Sequence, residues 1–194
     1  MSKDFIIVLK VSLLTLLITG FFYPLFIMGV SSVFFPKRAT GSLILDENKN
    51  IIGSELIGQN FKNPSYFFAR PSDAGQGYDG TRSGASNFAP TSKKLLEKVH
   101  ERIETIKSLN TEPIPIDLVT SSASGLDPHI SPASAYWQAS GIAMQRNVSL
   151  KRIVAIIDDQ IISPEFYILG SPHINVLKLN LTLDQFFGPP VGGK

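Results

Sequence analysis

Residues 118–135 read LVTSSASGLDPHISPASA and concentrate more potential chemistry than any other stretch of this 194-residue chain. Five serine hydroxyls, Asp127 and His129 supply the group types of a Ser–His–Asp hydrolase. A nucleophile of the α/β-hydrolase kind needs a G-x-S-x-G elbow. Around Ser124 the sequence is Ser122-Ala123-Ser124-Gly125, so the first glycine is missing. Asp127 and His129 flank Pro128, but triad partners are brought together by the fold, so closeness along the chain carries no weight. A structural account covers more of these residues. Asp-Pro favours a turn, Gly125 permits unusual dihedrals, and Ser131-Pro132 is a helix start. An anchored hydrolase using Ser124 or Ser131 with His129 and Asp127 stays as the least favoured alternative.

Other chemistries find less support. His100, His129 and His173 are isolated, with no H-x-x-x-H pair, and the chain has no cysteine, which removes disulfides, thiolate metal sites and cysteine nucleophiles. GPPVGGK at 188–194 fits G-x-x-x-x-G-K, but no Ser or Thr follows the lysine and no helix can follow to hold a phosphate. It reads as a flexible tail. QGYDG, 76–80, only faintly echoes a potassium filter, which needs four carbonyl-lined loops about one axis. Net charge is +2. Beyond residue 35 the balance is sixteen basic against fifteen acidic residues, which leaves no electrostatic footprint for nucleic acid.

Positioning begins with the N-terminus. Val11 to Phe35 is a run of twenty-five uncharged residues, long enough as a helix to cross a hydrocarbon core of about 30 Å. It is too long for the apolar part of a cleavable signal, so residues 1–35 are expected to be a transmembrane anchor in membrane lipid. Gly20 and Pro24 predict a kink or a close neighbour, and Ser12, Thr15 and Thr19 recur at helical spacing as candidate helix–helix contacts. Lys3 and Lys10 on one flank and Lys37 and Arg38 on the other leave orientation undecided.

After a linker at 36–41, residues 42–187 read as one α+β domain, with 188–194 as its tail. SLIL and NIIGSELIG around DENKN predict a hairpin. From 59 to 90 the chain is rich in Gly, Pro, Ser and Asn, yet Phe61, Tyr66, Phe67, Phe68, Tyr78 and Phe88 argue for an ordered loop. Thr91 or Ser92, Ser131 and Ser149 are expected to cap three helices. LKLNLTL, 177–183, alternates cleanly and is expected to be a half-buried strand. Strands at both ends with helices between them indicate the α+β class.

Four blocks carry a family resemblance: GSELIGQNFKNPSYFFARPS, SGASNFAPTS, DLVTSSASGLDPHISP and PHINVLKLNL. In that order they resemble the C subunit of the Kdp potassium-transporting ATPase, from the anchor to about Phe187. The resemblance implies a complex of the bacterial inner membrane that imports K⁺ at the expense of ATP. Its partners would be a potassium-channel-like subunit, a P-type ATPase subunit that hydrolyses ATP, and a small one-helix subunit. This chain would be a single-pass, non-catalytic accessory subunit whose soluble domain lies outside the cytoplasm. It would stabilise the assembly and cap the ion entrance. The alternative is a catalytic chaperone that raises the ATP affinity of the hydrolysing subunit. No cofactor is expected on this chain itself. K⁺ is transported by the complex, and ATP would come through the ATPase subunit.

Candidate partner or nucleotide contacts are Gln59, Phe61, Tyr66, Arg70, Ser83, Ser86, Asn87, Asp117, Thr120, Ser124, Asp127, His129 and Gln138. Gln138 matches the family's proposed nucleotide contact. Three residues on, Gly141 stands where the family usually has arginine, and Ala85, Ala89, Ser92 and Ala123 are further departures. Asp73, Asp79, Asp117 and Asp127 would concentrate cations near an ion entrance.

Overall fold

The computed structural model describes residues 3–46 and 48–190, and the chain divides into two compact units, 1–52 and 53–194. In the first, α1 (Lys3–Leu17), a π-helical turn (Ile18–Phe22) and α2 (Tyr23–Phe34) form one helical run. Over its most apolar 18 residues this 32-residue run reaches a mean hydropathy of 2.4, and none of that stretch is buried within the protein. At 1.5 Å per residue the run spans about 48 Å, more than a bilayer core requires. The irregularity falls where Gly20 and Pro24 place it. In a regular helix the proline ring would meet the carbonyl four residues back. Here the turn widens, and Tyr23 N–H reaches back five residues to Ile18 O. Thr19 donates its hydroxyl to Thr15 O (2.8 Å) and Thr15 donates to Val11 O (2.9 Å). Two hydroxyls of the expected contact stripe are thus engaged by their own helix, as a medium without water demands.

Within residues 36–41, α3 (Pro36–Ala39) makes a single helical turn. The expected hairpin follows as β1 (Leu43–Leu45) paired with β2 (Ile51–Ser54). Asp46 closes its turn by accepting from Asn50 N (2.7 Å) and Nδ2 (2.9 Å).

The 53–194 unit holds α4 (Lys93–Ile106), a 3-10 turn (Ile116–Leu118), β3 (His129–Ile130), α5 (Pro132–Gln145), α6 (Leu150–Gln160), β4 (Ile174–Asn175) and α7 (Val176–Phe187). Serines precede α4, α5 and α6 as expected. Only Ser131 caps through its side chain, accepting from Ser134 N at 3.1 Å with Pro132 in the first turn. Alanines at 135, 139 and 143 bring α5 close to α6, whose Ile153, Ile156 and Ile157 are buried. β3 and β4 form a two-residue antiparallel ladder, with His129 opposite Asn175 and Ile130 opposite Ile174.

One expected element is wrong. Residues 177–183 are not a strand but the body of α7. Asn175 caps that helix, accepting from Lys178 N at 3.1 Å, and Val176, Leu179, Asn180 and Leu183 recur at helical spacing on the buried face. The alternating leucines satisfy a period of two only if Asn180 faces water, and it is 1% exposed. The domain remains α+β, with small sheets and a larger helical part. The glycine-rich end seen in 188–194 runs beyond residue 190, outside the described residues.

Candidate functional site

Residues 59–90 contain no helix or strand, so their backbone polar groups need other partners. Two carboxamides provide them. Asn180 of α7 accepts from Phe67 N (2.8 Å) and donates to Phe67 O (2.8 Å). Gln138 of α5, also buried, accepts from Phe68 N (2.9 Å) and donates to Phe68 O (3.3 Å) and to Ser134 O (3.2 Å). Each amide answers one residue's N–H and C=O as a neighbouring strand would. The Gln138 carboxamide is thus engaged by the Phe68 backbone, at the wall of a cavity of about 390 Å³ that Phe61, Tyr66, Trp137 and Gly141 also line.

A third clamp holds the start of the loop. The Arg146 side chain is 3% exposed and donates to Ser65 O (2.7 Å), Gly188 O (2.9 Å) and Asp184 Oδ1 (2.8 Å). Its guanidinium also stacks over the Tyr66 ring at 4.9 Å. Tyr66 donates to Asp184 Oδ2 at 2.6 Å, and burial together with the neighbouring Asp184 charge pushes its phenol up to about 12. Phe61 packs against Tyr66 with centroids 5.4 Å apart, and Gln59 occupies the space a side chain on Gly53 would need.

The serine-rich loop is cross-linked in the same way. Gly125, at φ +66, sits so close that an added Cβ would lie 2.5 Å from Gly84 O and 2.7 Å from Ala74 N. Ser72 donates to Gly125 O (2.6 Å), and both Gly84 N (2.8 Å) and Ser83 Oγ (2.9 Å) donate to Ser124 O. Asp73 gathers Lys98 (2.6 Å), Arg102 (3.5 Å) and the hydroxyl of Ser121. Burial alone would raise the Asp73 carboxyl, but Lys98, Ser121 and Arg102 more than offset it and hold it below the usual carboxylate range. Asp79 accepts from Thr81 N (3.0 Å) and Thr81 Oγ1 (2.7 Å). Asp117 accepts from Ser131 N (2.8 Å), Ser131 Oγ (3.2 Å) and the Ser134 hydroxyl. Three of the four aspartates expected to attract cations are thus engaged by neighbours within the domain.

Arg70, Asp117, Asp127, His129, Ser131 and His173 line an open cleft of about 500 Å³. Arg70 meets Asp127 at 3.2 Å and reaches the carbonyls of Ser121 (3.3 Å) and Thr120 (3.5 Å). Asp127 lies 3.3 Å from His129 Nδ1, and the His129 and His173 rings stand edge to face at 4.7 Å. Burial pushes the Asp127 carboxyl up, and the bonds from His129 with the Arg70 charge bring it below its ordinary value. Ser124 Oγ accepts from Leu126 N (3.1 Å) and lies 3.4 Å from Ser122 Oγ. Among the described residues neither Ser124 nor Ser131 is hydrogen-bonded to His129, the contact a serine nucleophile and its base require. No three His, Asp or Glu side chains among those residues converge as a metal-ligand set.

Of the remaining candidates, Asn87 is exposed with φ +53 and Ser86 is half-buried. Asn180, Arg146 and Asp184 are structural keystones that sequence reasoning passed over. An asparagine inside a leucine run and an arginine ending an apolar helix were the available signals.

The sequence of this chain matches the family described as "K+-transporting ATPase, c chain" over residues 5–185. The chain belongs to that family. Among its relatives, the potassium-transporting ATPase KdpC subunit of Myxococcus xanthus is 44% identical over 97% of this chain and 91% of its own length. The KdpC subunit of Polynucleobacter asymbioticus is 48% identical over 86% of this chain and 90% of its own. That of Acidobacterium capsulatum is 47% identical over 86% and 89%. The C-chain family resemblance read from four blocks therefore extends across the span helix and the α+β domain together.

Proposed function

We propose that this chain is the non-catalytic accessory subunit of an ATP-driven potassium import complex of the bacterial inner membrane. The helical run 3–34 anchors it. The α+β domain lies on the outer side, capping the ion entrance of the channel-like subunit and stabilising its assembly with the P-type ATPase and small one-helix subunits. K⁺ is carried and ATP hydrolysed by those partners, and this chain contributes surface.

Family membership supports the complex. The observation that carries the non-catalytic reading is the inward use of the polar side chains. Gln138 is closed onto Phe68, and the aspartates and serines of 117–134 answer one another and the backbone. The chaperone reading needs a Gln138 carboxamide free to meet a nucleotide, and the Phe68 clamp counts against it.

Orientation tests the proposal. Protease added to intact spheroplasts is expected to digest the 53–190 region while leaving the span. Protection in spheroplasts, with digestion only after lysis, would put the domain beside ATP and replace the cap with the chaperone reading.

A further inference from the structure

Residues 161–170, IISPEFYILG, reverse the usual relation between polarity and burial. Phe166, Tyr167, Ile168 and Leu169 are 80%, 87%, 80% and 60% exposed. A contiguous apolar cluster of this kind marks a contact surface. The segment is an ordered hairpin tip. Glu165 N donates to Leu169 O (3.0 Å), Leu169 N returns to Glu165 O (2.9 Å), Tyr167 N donates to Pro164 O (3.0 Å) and Ile168 N to Glu165 O (3.2 Å). Phe166 and Tyr167 both hold positive φ, 52° and 63°. Two left-handed residues in a row make the kind of tight turn that favours Asn-Gly, and each costs a bulky side chain about 1 kcal/mol or more. Fold stability alone does not select aromatic residues at those two positions.

We propose that this hairpin is a second, shallow membrane contact. Phe166, Tyr167, Ile168 and Leu169 enter the headgroup–acyl boundary of the bilayer crossed by the anchor. The proposal rests on reading residues 3–34 as a span and is independent of which side the domain occupies.

Several observations favour lipid over a protein groove. The N–H groups of residues 165, 167, 168 and 169 are all satisfied inside the hairpin, so the tip leaves water without orphaning these donors. Aromatic rings beside aliphatic side chains, with one phenol to stay at the wet edge, are the composition found at bilayer interfaces. No Lys or Arg lies between Arg152 and Lys178 and the hairpin's one charge is Glu165, so the contact is made by its apolar side chains and gains nothing from anionic lipid. Finally, the tip belongs to the same chain as the anchor, so its meeting with the bilayer is an intramolecular event.

The absence of cysteine makes the test direct. The full chain carrying Ile168→Cys is spin-labelled and reconstituted into phosphatidylcholine vesicles, and its collisions with oxygen and with a water-soluble nickel chelate are compared. Glu101→Cys on the exposed side of α4 is the aqueous reference, and Leu25→Cys in α2 is the lipid reference. The expected result is an oxygen-to-nickel ratio at 168 several-fold above that at 101. It should be unchanged when anionic phosphatidylglycerol or salt is added. A ratio at 168 equal to that at 101, with lipid signal at 25, overturns the hairpin proposal and leaves the anchor standing. Aqueous signal at both 25 and 168 overturns both. Loss of collisions with both reagents at 168 means protein encloses the tip, which overturns the lipid contact in favour of a protein groove.

Discussion

Two irregular stretches of the 53–190 region follow opposite rules. Residues 59–90 have the composition of a solvated loop, yet Phe61, Tyr66, Phe67, Ala69 and Ala74 are buried. Residues 161–170 have the composition of a core strand, yet their apolar tip stands in the open. The difference lies in what answers the backbone. In the first stretch, carboxamides 70 and 113 residues away supply the hydrogen bonds that a sheet would supply, and the loop can sink into the core. In the second, the hairpin pairs with itself and needs nothing from the core. Burial here follows hydrogen-bond satisfaction as much as polarity.

The comparison breaks most sharply at Asn180. Replacing it with leucine keeps the number and branching of the heavy atoms but leaves Phe67 N–H and C=O buried without partners. At 1–3 kcal/mol for each orphaned group, about 4 kcal/mol of stability should be lost in denaturant unfolding of the detergent-solubilised chain. A loss under 1 kcal/mol would mean the loop is not held by that amide.

Gly125→Ala comes next. It combines a left-handed backbone with a Cβ 2.5 Å from Gly84 O, and should cost about 3 kcal/mol in the same measurement.

A smaller effect is confined to alkaline pH. The folded state holds Tyr66 protonated up to about 12, whereas the unfolded chain releases that proton near 10. The contribution is complete below pH 10 and is lost as pH rises from about 10 to about 12. The melting temperature should fall across that window, and the part of the fall that Tyr66→Phe removes measures the contribution.

The smallest change has the opposite sign. The double substitution Phe166→Asn, Tyr167→Gly installs residues suited to the turn and should stabilise the domain by about 1 kcal/mol. A loss of stability would place those rings in the packing of the domain.

Much of this architecture was legible in the sequence. The anchor followed from an uncharged run, the hairpin from DENKN between apolar pairs, and α5 from Ser131-Pro132. These are local signals, fixed by a few neighbouring residues. The aromatic content of 59–90 correctly implied order, but not the means of it, because the partners of Phe67 and Phe68 are single amides on distant helices. The same blindness produced the error at 177–183. Asn180 looks like a solvent position in an alternating strand until its bond to Phe67 is known. The Asn175 cap and the scarcity of β-branched residues after Val176 were the local hints that pointed to a helix. The candidate site was legible as a cluster of polar groups. Their inward direction was not, because direction depends on backbone partners that spacing does not reveal.

The clamp on Phe67 and Phe68 also sets an order of events during biosynthesis. The ribosome delivers Phe67 113 residues before Asn180, and Tyr66 118 residues before Asp184. Gln138 on α5 can meet Phe68 first, but until α7 emerges the Phe67 amide has no partner, and full closure must wait for Asn180. Contacts of such long sequence separation make folding late and slow. A chain cut short before α7 is therefore an open form of this domain, with the Phe67 face bare.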